Sequence, residues 1–196
     1  MNIISWNLLH STGATLEHVI ALIDTQKPDL LLMQEATTII DALPNRRPGH
    51  YARAVLPGRH HGLAAWSPTP FRNPPATLTL QRGVVVRRLC QLLDLADISI
   101  ANVHLSHGQL LNRIQLRQIA RILPARAAIL GDCNMVGAPL LPGFVDAGPR
   151  LPTHNAARRV PLRLDRCFLR NLHCTHTEIL PRGASDHHPL LVRLAV

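Results

Sequence analysis

The stretch NIISWNLLHSTGATLEHVIALIDTQKPDLLLMQE, residues 2–35, decides the fold class. Asn2 to Trp6 is an apolar run of strand length. After the turn-like Ser11-Thr12-Gly13, residues Leu16, Val19, Ile20, Leu22 and Ile23 recur at the spacing of an amphipathic helix over Thr15–Thr25. Pro28 cannot continue that helix, and Asp29-Leu30-Leu31-Leu32-Met33 reads as a strand buried on both faces. Strand, helix and strand in that order predict an α/β architecture.

Outward from this unit, residues 44–75 are rich in Pro, Gly, Arg and His, and loops should dominate. Short strands are expected there near Ala52–Leu56 and Leu63–Trp66. Further strands are predicted at Ala76–Leu80, Val84–Asp94 and Ile98–His104, and a second helix at Leu110–Leu123 that Pro124 stops. Ala127–Leu130 reads as a buried strand, followed by strands near Leu164–Leu169, Cys174–Ile179 and Leu190–Leu194. No repeat or linker divides the chain, so residues 1–196 are expected to form one domain.

Composition narrows the function classes. With 46% hydrophobic and 17% charged residues, the chain can bury a sizeable core and is not of the disordered type. Its four cysteines form no CxxC pair, which excludes a disulfide scaffold. Met1 leads directly into the first strand without the basic and apolar regions of a signal peptide, and the longest apolar runs are strand-sized. A cytoplasmic protein without a membrane span is therefore expected. The formal net charge of +9 favours a polyanionic partner. Aromatic residues make up only 3%, too few for a binder built on stacked bases.

The informative polar residues sit at strand ends, where α/β folds gather ligands. Asn7 follows the first strand, Gln34-Glu35 the second, and Asn102-Val103-His104 ends a middle one. Gly131-Asp132-Cys133-Asn134 follows Ala127–Leu130, Asp165 belongs to the strand near Leu164, and Ser185-Asp186-His187 precedes the last strand. Four of the twelve acids, Glu35, Asp132, Asp165 and Asp186, occupy these positions. Carboxylates with an amide oxygen suit Mg²⁺ or Mn²⁺, and two histidines can meet phosphate oxygens while a spare carboxylate orients water. The set is what phosphoester hydrolysis requires.

The blocks Ile4-Ser5-Trp6-Asn7, Leu32-Met33-Gln34-Glu35, Asn102-Val103-His104, Gly131-Asp132-Cys133-Asn134, Leu164-Asp165 and Ser185-Asp186-His187 stand in the order seen in the endonuclease/exonuclease/phosphatase superfamily. The chain resembles that superfamily from its first residues to its last. The resemblance implies a four-layer sandwich of the α/β (α+β) class, two mixed β-sheets packed face to face with helices outside. It implies Glu35 as the principal metal ligand, helped by Asn7 and Asp186, with Mg²⁺ or Mn²⁺ as cofactor. Asp132 would position or deprotonate the water, and Asn134 would hold a phosphate oxygen. His187, oriented by Asp165, would stabilise transition-state charge. His104 would be a second phosphate contact or the acid for the leaving group.

The sequence also departs from its relatives. Cys133 stands where a bulky apolar residue is usual, and is expected to pack as an inert small hydrophobe. Deoxyribonuclease-like members pair the middle histidine with a carboxylate. The matching stretch here carries neutral Gln81, so His104 is expected to lack that partner. Abasic-site enzymes have Tyr in place of His104, which argues against that branch.

Several residues have plainer readings. His188, beside Pro189, is expected to be structural. Strand alternation at His173-Cys174-Thr175-His176 would part the zinc-type ligands between two faces. Arg46-Arg47, Arg59-His60-His61, Arg87-Arg88 and Arg158-Arg159 read first as solvated surface charge, or else as a track for a phosphate backbone, and Arg113 as a brace near the site. The expectation is a monomeric, metal-dependent nuclease acting on nucleic acid, with DNA favoured and no obligate protein partner. The alternatives are hydrolysis of a small phosphorylated metabolite or lipid headgroup, and a catalytically inactive polyanion-binding module.

Overall fold

The computed structural model describes residues 1–83, 86–156 and 160–195. In chain order, β1 (Asn2–Asn7) leads into helix α1 (Leu16–Gln26) and β2 (Leu30–Thr37). A 3₁₀ turn at Thr38–Ala42 and the single-turn helix α2 (Leu43–Arg46) precede β3 (His50–Val55) and β4 (His61–Ser67). Next come β5 (Ala76–Thr79), β6 (Leu89–Leu95), β7 (Ile98–His104), helix α3 (Gln109–Ile122) and β8 (Ala127–Asp132). Short strands β9 (Val145–Asp146), β10 (His154–Ala156) and β11 (Val160–Leu162) follow. The described chain closes with β12 (Asp165–Arg170), β13 (His173–Ile179) and β14 (Leu190–Ala195).

The strands form two six-stranded mixed sheets, ordered β13-β14-β1-β2-β4-β3 and β5-β6-β7-β8-β12-β9, with β10 and β11 as a separate ribbon. Alternation within each strand builds the layers. Ile3, Leu30 and Leu32 of the first sheet meet Ile100, Ala128, Leu130 and Cys167 of the second in the central core. The alternate residues Ile4, Trp6, Leu31 and Met33 face Val19, Ile20 and Ile23 of α1. On the far side, Val103 and Ile129 pack against Leu116 and Ile119 of α3. The order helix, sheet, sheet, helix is the four-layer sandwich that the resemblance implied.

Local chemistry sets the element ends. The Thr15 N–H at the start of α1 donates to His18 Nδ1 (3.1 Å), and Lys27 ends the helix with a φ of +46° ahead of Pro28. Strand β6 begins at Leu89, later than the expected Val84, and Val84 and Val85 lie outside the described residues. A β-bulge between Cys174 and His176 interrupts the alternation expected along β13. Among the described residues, no metal-sized cluster includes that run. No helix among them is long and apolar enough to cross a membrane.

Gly131 is fixed by close backbone approach in the parallel β7–β8 pair. Its φ is +141°, and a Cβ there would stand 2.0 Å from the Val103 carbonyl oxygen. Gly131→Ala should therefore destabilise the protein by about 2–4 kcal/mol, because neither the strained φ nor a backbone neighbour can relax cheaply. Urea unfolding monitored by circular dichroism measures the loss, and an unchanged midpoint would contradict the tight approach.

Candidate functional site

Three strands of the second sheet bring their polar ends into one row. His104 of β7 is in register with Asp132 of β8, and Asp132 is in register with Asp165 of β12. The first sheet contributes Asn7, which pairs in register with Gln34. Beneath them runs a buried polar layer. Gln34 Nε2 donates to Ser5 Oγ (3.1 Å) and to Asn102 Oδ1 (2.8 Å), while Asn102 Nδ2 donates to Gln91 Oε1 (3.1 Å) and to the Ala64 carbonyl (3.0 Å). The Gln34–Asn102 and Asn102–Ala64 bonds cross from one sheet to the other and tie the two strand ends together.

Glu35 reaches the site through a distortion. A β-bulge falls between Gln34 and Ala36, and Glu35 has a φ of +57°. Bulges re-aim side chains, and a non-glycine residue at positive φ stores strain at functional positions. Here the bulge lets Gln34 stay in the buried layer while Glu35 lines the cavity above it. Asn134 also has a positive φ (+47°), at the turn after β8. Its Nδ2 donates to the Leu105 carbonyl (3.0 Å), and its own carbonyl accepts from Asn112 Nδ2 (2.8 Å).

Asn7, Glu35, His104, Asp132, Asn134, Asp186 and His187 all line one cavity of about 260 Å³. The eighth expected residue, Asp165, is buried behind His187 and accepts from its Nδ1 at 2.8 Å. Asp132 is the hub. Its Oδ2 accepts from Asn7 Nδ2 (3.0 Å) and lies 3.3 Å from His104 Nε2 and 3.8 Å from His187 Nε2. Its Oδ1 accepts from the Asn134 N–H (2.9 Å). Gln81 is exposed, with its backbone held by Gln115 and Gln118 of α3. The carboxylates beside His104 are instead Asp132 and, at 4.0 Å, Glu35.

The two histidines are driven to opposite charge states. Burial opposes a charged His187, but Asp165 and Asp132 outweigh it and push the ring up to about 10. For His104 the balance falls the other way. Burial lowers it well below the ordinary imidazole value, and the Arg88 charge lowers it further. Burial and the neighbouring Asp165 raise Asp132, against the pull of His187. Glu35 is held below the usual range because hydrogen bonds from His10 overcome its burial. The hydrogen bond from His154 does the same for Asp186.

Arg88 corrects the surface reading of the Arg87-Arg88 pair. It is only 5% exposed, its charge acts on both Asp132 and Glu35, and its buried Nε has no partner among the described residues. Its one sequence signal is its place directly before a strand that is largely buried. His10, which bonds Glu35 and stacks on His61 (ring centroids 3.9 Å apart), was missed as well. So was His154, 3.3 Å from Asp186. Of the other arginine pairs, Arg46 and Arg47 make surface ion pairs with Glu17 and Asp24, and Arg158-Arg159 lies outside the described residues. Arg113 braces the Val136 (2.7 Å) and Ala138 (2.8 Å) carbonyls, and His188 Nδ1 bonds the Leu180 carbonyl (2.9 Å). Cys133 is fully buried, and burial raises its thiol well above the ordinary value, as inert packing requires.

The donor set fits a hard divalent cation. Glu35, Asp186 and Asn7 bring oxygen atoms to the cavity wall, and the buried Asp186 Oδ1 has no hydrogen-bond partner among the described residues. A buried carboxylate oxygen left unpartnered is costly unless a cation meets it.

A model of the endonuclease/exonuclease/phosphatase family matches residues 4–187. The sequence has no match among curated proteins. Humanised D. rerio TDP2 carrying 14 mutations superposes with a TM-score of 0.83 at 17% identity, covering 100% of this chain and 99% of the other. D. rerio TDP2 complexed with single-strand DNA product gives 0.78 at 15%, covering 100% and 99%. The mannosyl-6-phosphatase of Bacteroides thetaiotaomicron gives 0.76 at 17%, covering 100% of both chains. At such identities the likeness is one of fold.

The contrast between the histidines is measurable by NMR titration of the metal-free protein. His187 should keep its proton through pH 8 and release it near 10, and Asp165→Asn should bring that value down. Because the folded value is raised, the stability from this pairing is complete below an unfolded value of about 6.5 and is lost as pH rises through about 10. An ordinary titration of His187 in the parent protein would overturn the assignment.

Proposed function

Since the chain belongs to the endonuclease/exonuclease/phosphatase family, whose enzymes are divalent-metal-dependent phosphoric ester hydrolases, we propose that it is a cytoplasmic nuclease that hydrolyses phosphodiester bonds of DNA. The observation that carries the chemistry is the row His104–Asp132–Asp165 with His187 wedged between the two acids. The net charge of +9 favours a polymeric anion as substrate. The DNA product bound to the D. rerio relative is consistent with this choice.

In the proposed reaction, water attacks phosphorus in line with the leaving oxygen, whose bond to phosphorus breaks and which takes up a proton from solvent. Asp132 accepts a hydrogen bond from that water and takes its proton. Its raised proton affinity suits a base more than an ordinary surface carboxylate would. His187, held cationic by Asp165, donates to a non-bridging phosphate oxygen as charge accumulates there. Asn134 adds a donor to the same group, and the buried Arg88 contributes positive charge that acts on Asp132 and Glu35. His104 is neutral, which favours its role as a phosphate contact over that of the leaving-group acid. Glu35, Asn7 and Asp186 would hold Mg²⁺ or Mn²⁺, which when bound would supply Lewis-acid charge to the reacting phosphoryl group.

A second reading is hydrolysis of a small phosphate ester. The cavity of about 260 Å³ is large enough to enclose a small phosphate ester whole, and one structural neighbour is a sugar phosphatase. An inactive polyanion-binding module is disfavoured because Glu35, Asp132 and His187 are all present.

Incubation with supercoiled plasmid separates these readings. Nicking is expected with Mg²⁺ or Mn²⁺, and none with EDTA or in Asp132→Asn. Intact plasmid in every lane, with turnover of small phosphomonoesters, would replace the nuclease reading by the phosphatase one. Glu35→Gln should slow hydrolysis by about 10³-fold without shifting the unfolding midpoint, whereas His187→Ala should slow it as much and also lower the midpoint, because Asp132 and Asp165 lose the charge between them. Near-parent rates in either would sink the role given to that residue. DNA affinity should fall steeply between low and physiological salt, and a flat response would point to a small ligand.

A further inference from the structure

Asp186 has an imidazole for a neighbour as well as a cavity. His154 Nε2 lies 3.3 Å from Asp186 Oδ2, and one ligand-type atom from each of His154, Asp186 and His187 falls within 4.8 Å of the others. Two donors on one ion at about 2.1 Å stand roughly 3.0 Å apart at a right angle and roughly 3.4 Å apart at the tetrahedral angle. The observed gap falls between those limits. His187 is committed elsewhere, with Nδ1 on Asp165 and Nε2 towards Asp132. His154 is therefore the imidazole left to Asp186.

Its placement is built rather than incidental. The backbone of β10 bridges His187, the Asn155 N–H donates to the Asp186 carbonyl (3.2 Å), and the His188 N–H donates to the Thr153 carbonyl (2.8 Å). These bonds clamp His154 against the Asp186-His187 dipeptide from both sides. The side chain is 13% exposed and lines the same cavity, and Asp186 keeps its second oxygen buried, with no partner among the described residues.

We propose that His154 ligates the divalent ion held at Asp186, giving a mixed nitrogen–oxygen centre that prefers Mn²⁺, Co²⁺ or Zn²⁺ to Mg²⁺. Imidazole suits these borderline ions, whereas Mg²⁺ favours oxygen donors and gives up its water reluctantly. The inference rests on the metal-dependent reading above and adds a ligand and a metal preference to it.

The test is pulsed electron paramagnetic resonance of the full chain loaded with Mn²⁺ alone, together with Mn²⁺/Mg²⁺ competition by equilibrium dialysis. The parent protein should show ¹⁴N coupling from a directly bound imidazole and bind Mn²⁺ at least about tenfold tighter than Mg²⁺. His154→Ala should lose the coupling. His154→Asp should lose it too, while still binding metal and with its preference moved towards Mg²⁺. Loss of affinity alone would not distinguish a ligand from an orienting neighbour, since either role can cost 10–100-fold. Mn²⁺ binding and plasmid nicking without ¹⁴N coupling, or coupling that survives in His154→Ala, would overturn this inference and leave the nuclease reading standing. No Mn²⁺ binding to the parent protein would overturn this inference and the metal dependence together. A misfolded Ala variant would show in circular dichroism, and the Asp variant then carries the test.

Discussion

The hydrogen bond from Gln34 Nε2 to Asn102 Oδ1, 2.8 Å long and wholly buried, is the constraint on which the site depends. Two sheets packed through apolar side chains alone can slide, because dispersion contacts are weakly directional. A buried amide cannot slide without losing its partners, and each group left unsatisfied costs about 1–3 kcal/mol. The layer from Ser5 through Gln34 and Asn102 to Gln91 therefore pins one sheet against the other just below the cavity. Above it, the carboxylate of Glu35 from one sheet faces His104 and Asp132 from the other at separations set by those bonds.

The electrostatics follow from who shares a row with whom. Asp132 and Asp165 are register neighbours, so two carboxylates are buried side by side and need positive charge between them. His187 supplies it and becomes a fixed cation. His104 stands at the other end of the row, nearer to the buried Arg88, and stays neutral. Two residues of one type thus acquire different chemistry from position alone, one suited to countering charge and the other to a hydrogen bond.

Much of this was legible in the sequence. The spacing of Leu16, Val19, Ile20 and Ile23 after the first strand foretold α1, and the apolar run at Leu30–Met33 foretold a strand covered on both faces. Polar residues at five strand ends marked the cavity, and the order of the blocks pointed to the family. Other features depend on three dimensions. The bulge at Glu35 leaves no trace in residue type, because glutamate is not a residue that favours positive φ. Arg88 reads as one of several arginine pairs until the fold buries it. His154 belongs to a three-residue strand too short for any periodicity, and only its backbone bridge to His187 reveals its place.

The position of β1 also governs how the chain must fold. This strand lies between β2 and β14, so the first sheet joins the earliest residues to the latest. Ser185 Oγ bonds the Asn7 carbonyl at 2.6 Å, and the Trp6 indole N–H bonds the His187 carbonyl at 3.1 Å. These contacts close loops of 178 and 181 residues, an entropic cost met late on the folding pathway. During synthesis the first strand waits with one edge open until the final strand leaves the ribosome, exposed to wrong pairing in the interval. The cavity is thus complete only when residues far apart in the chain have met.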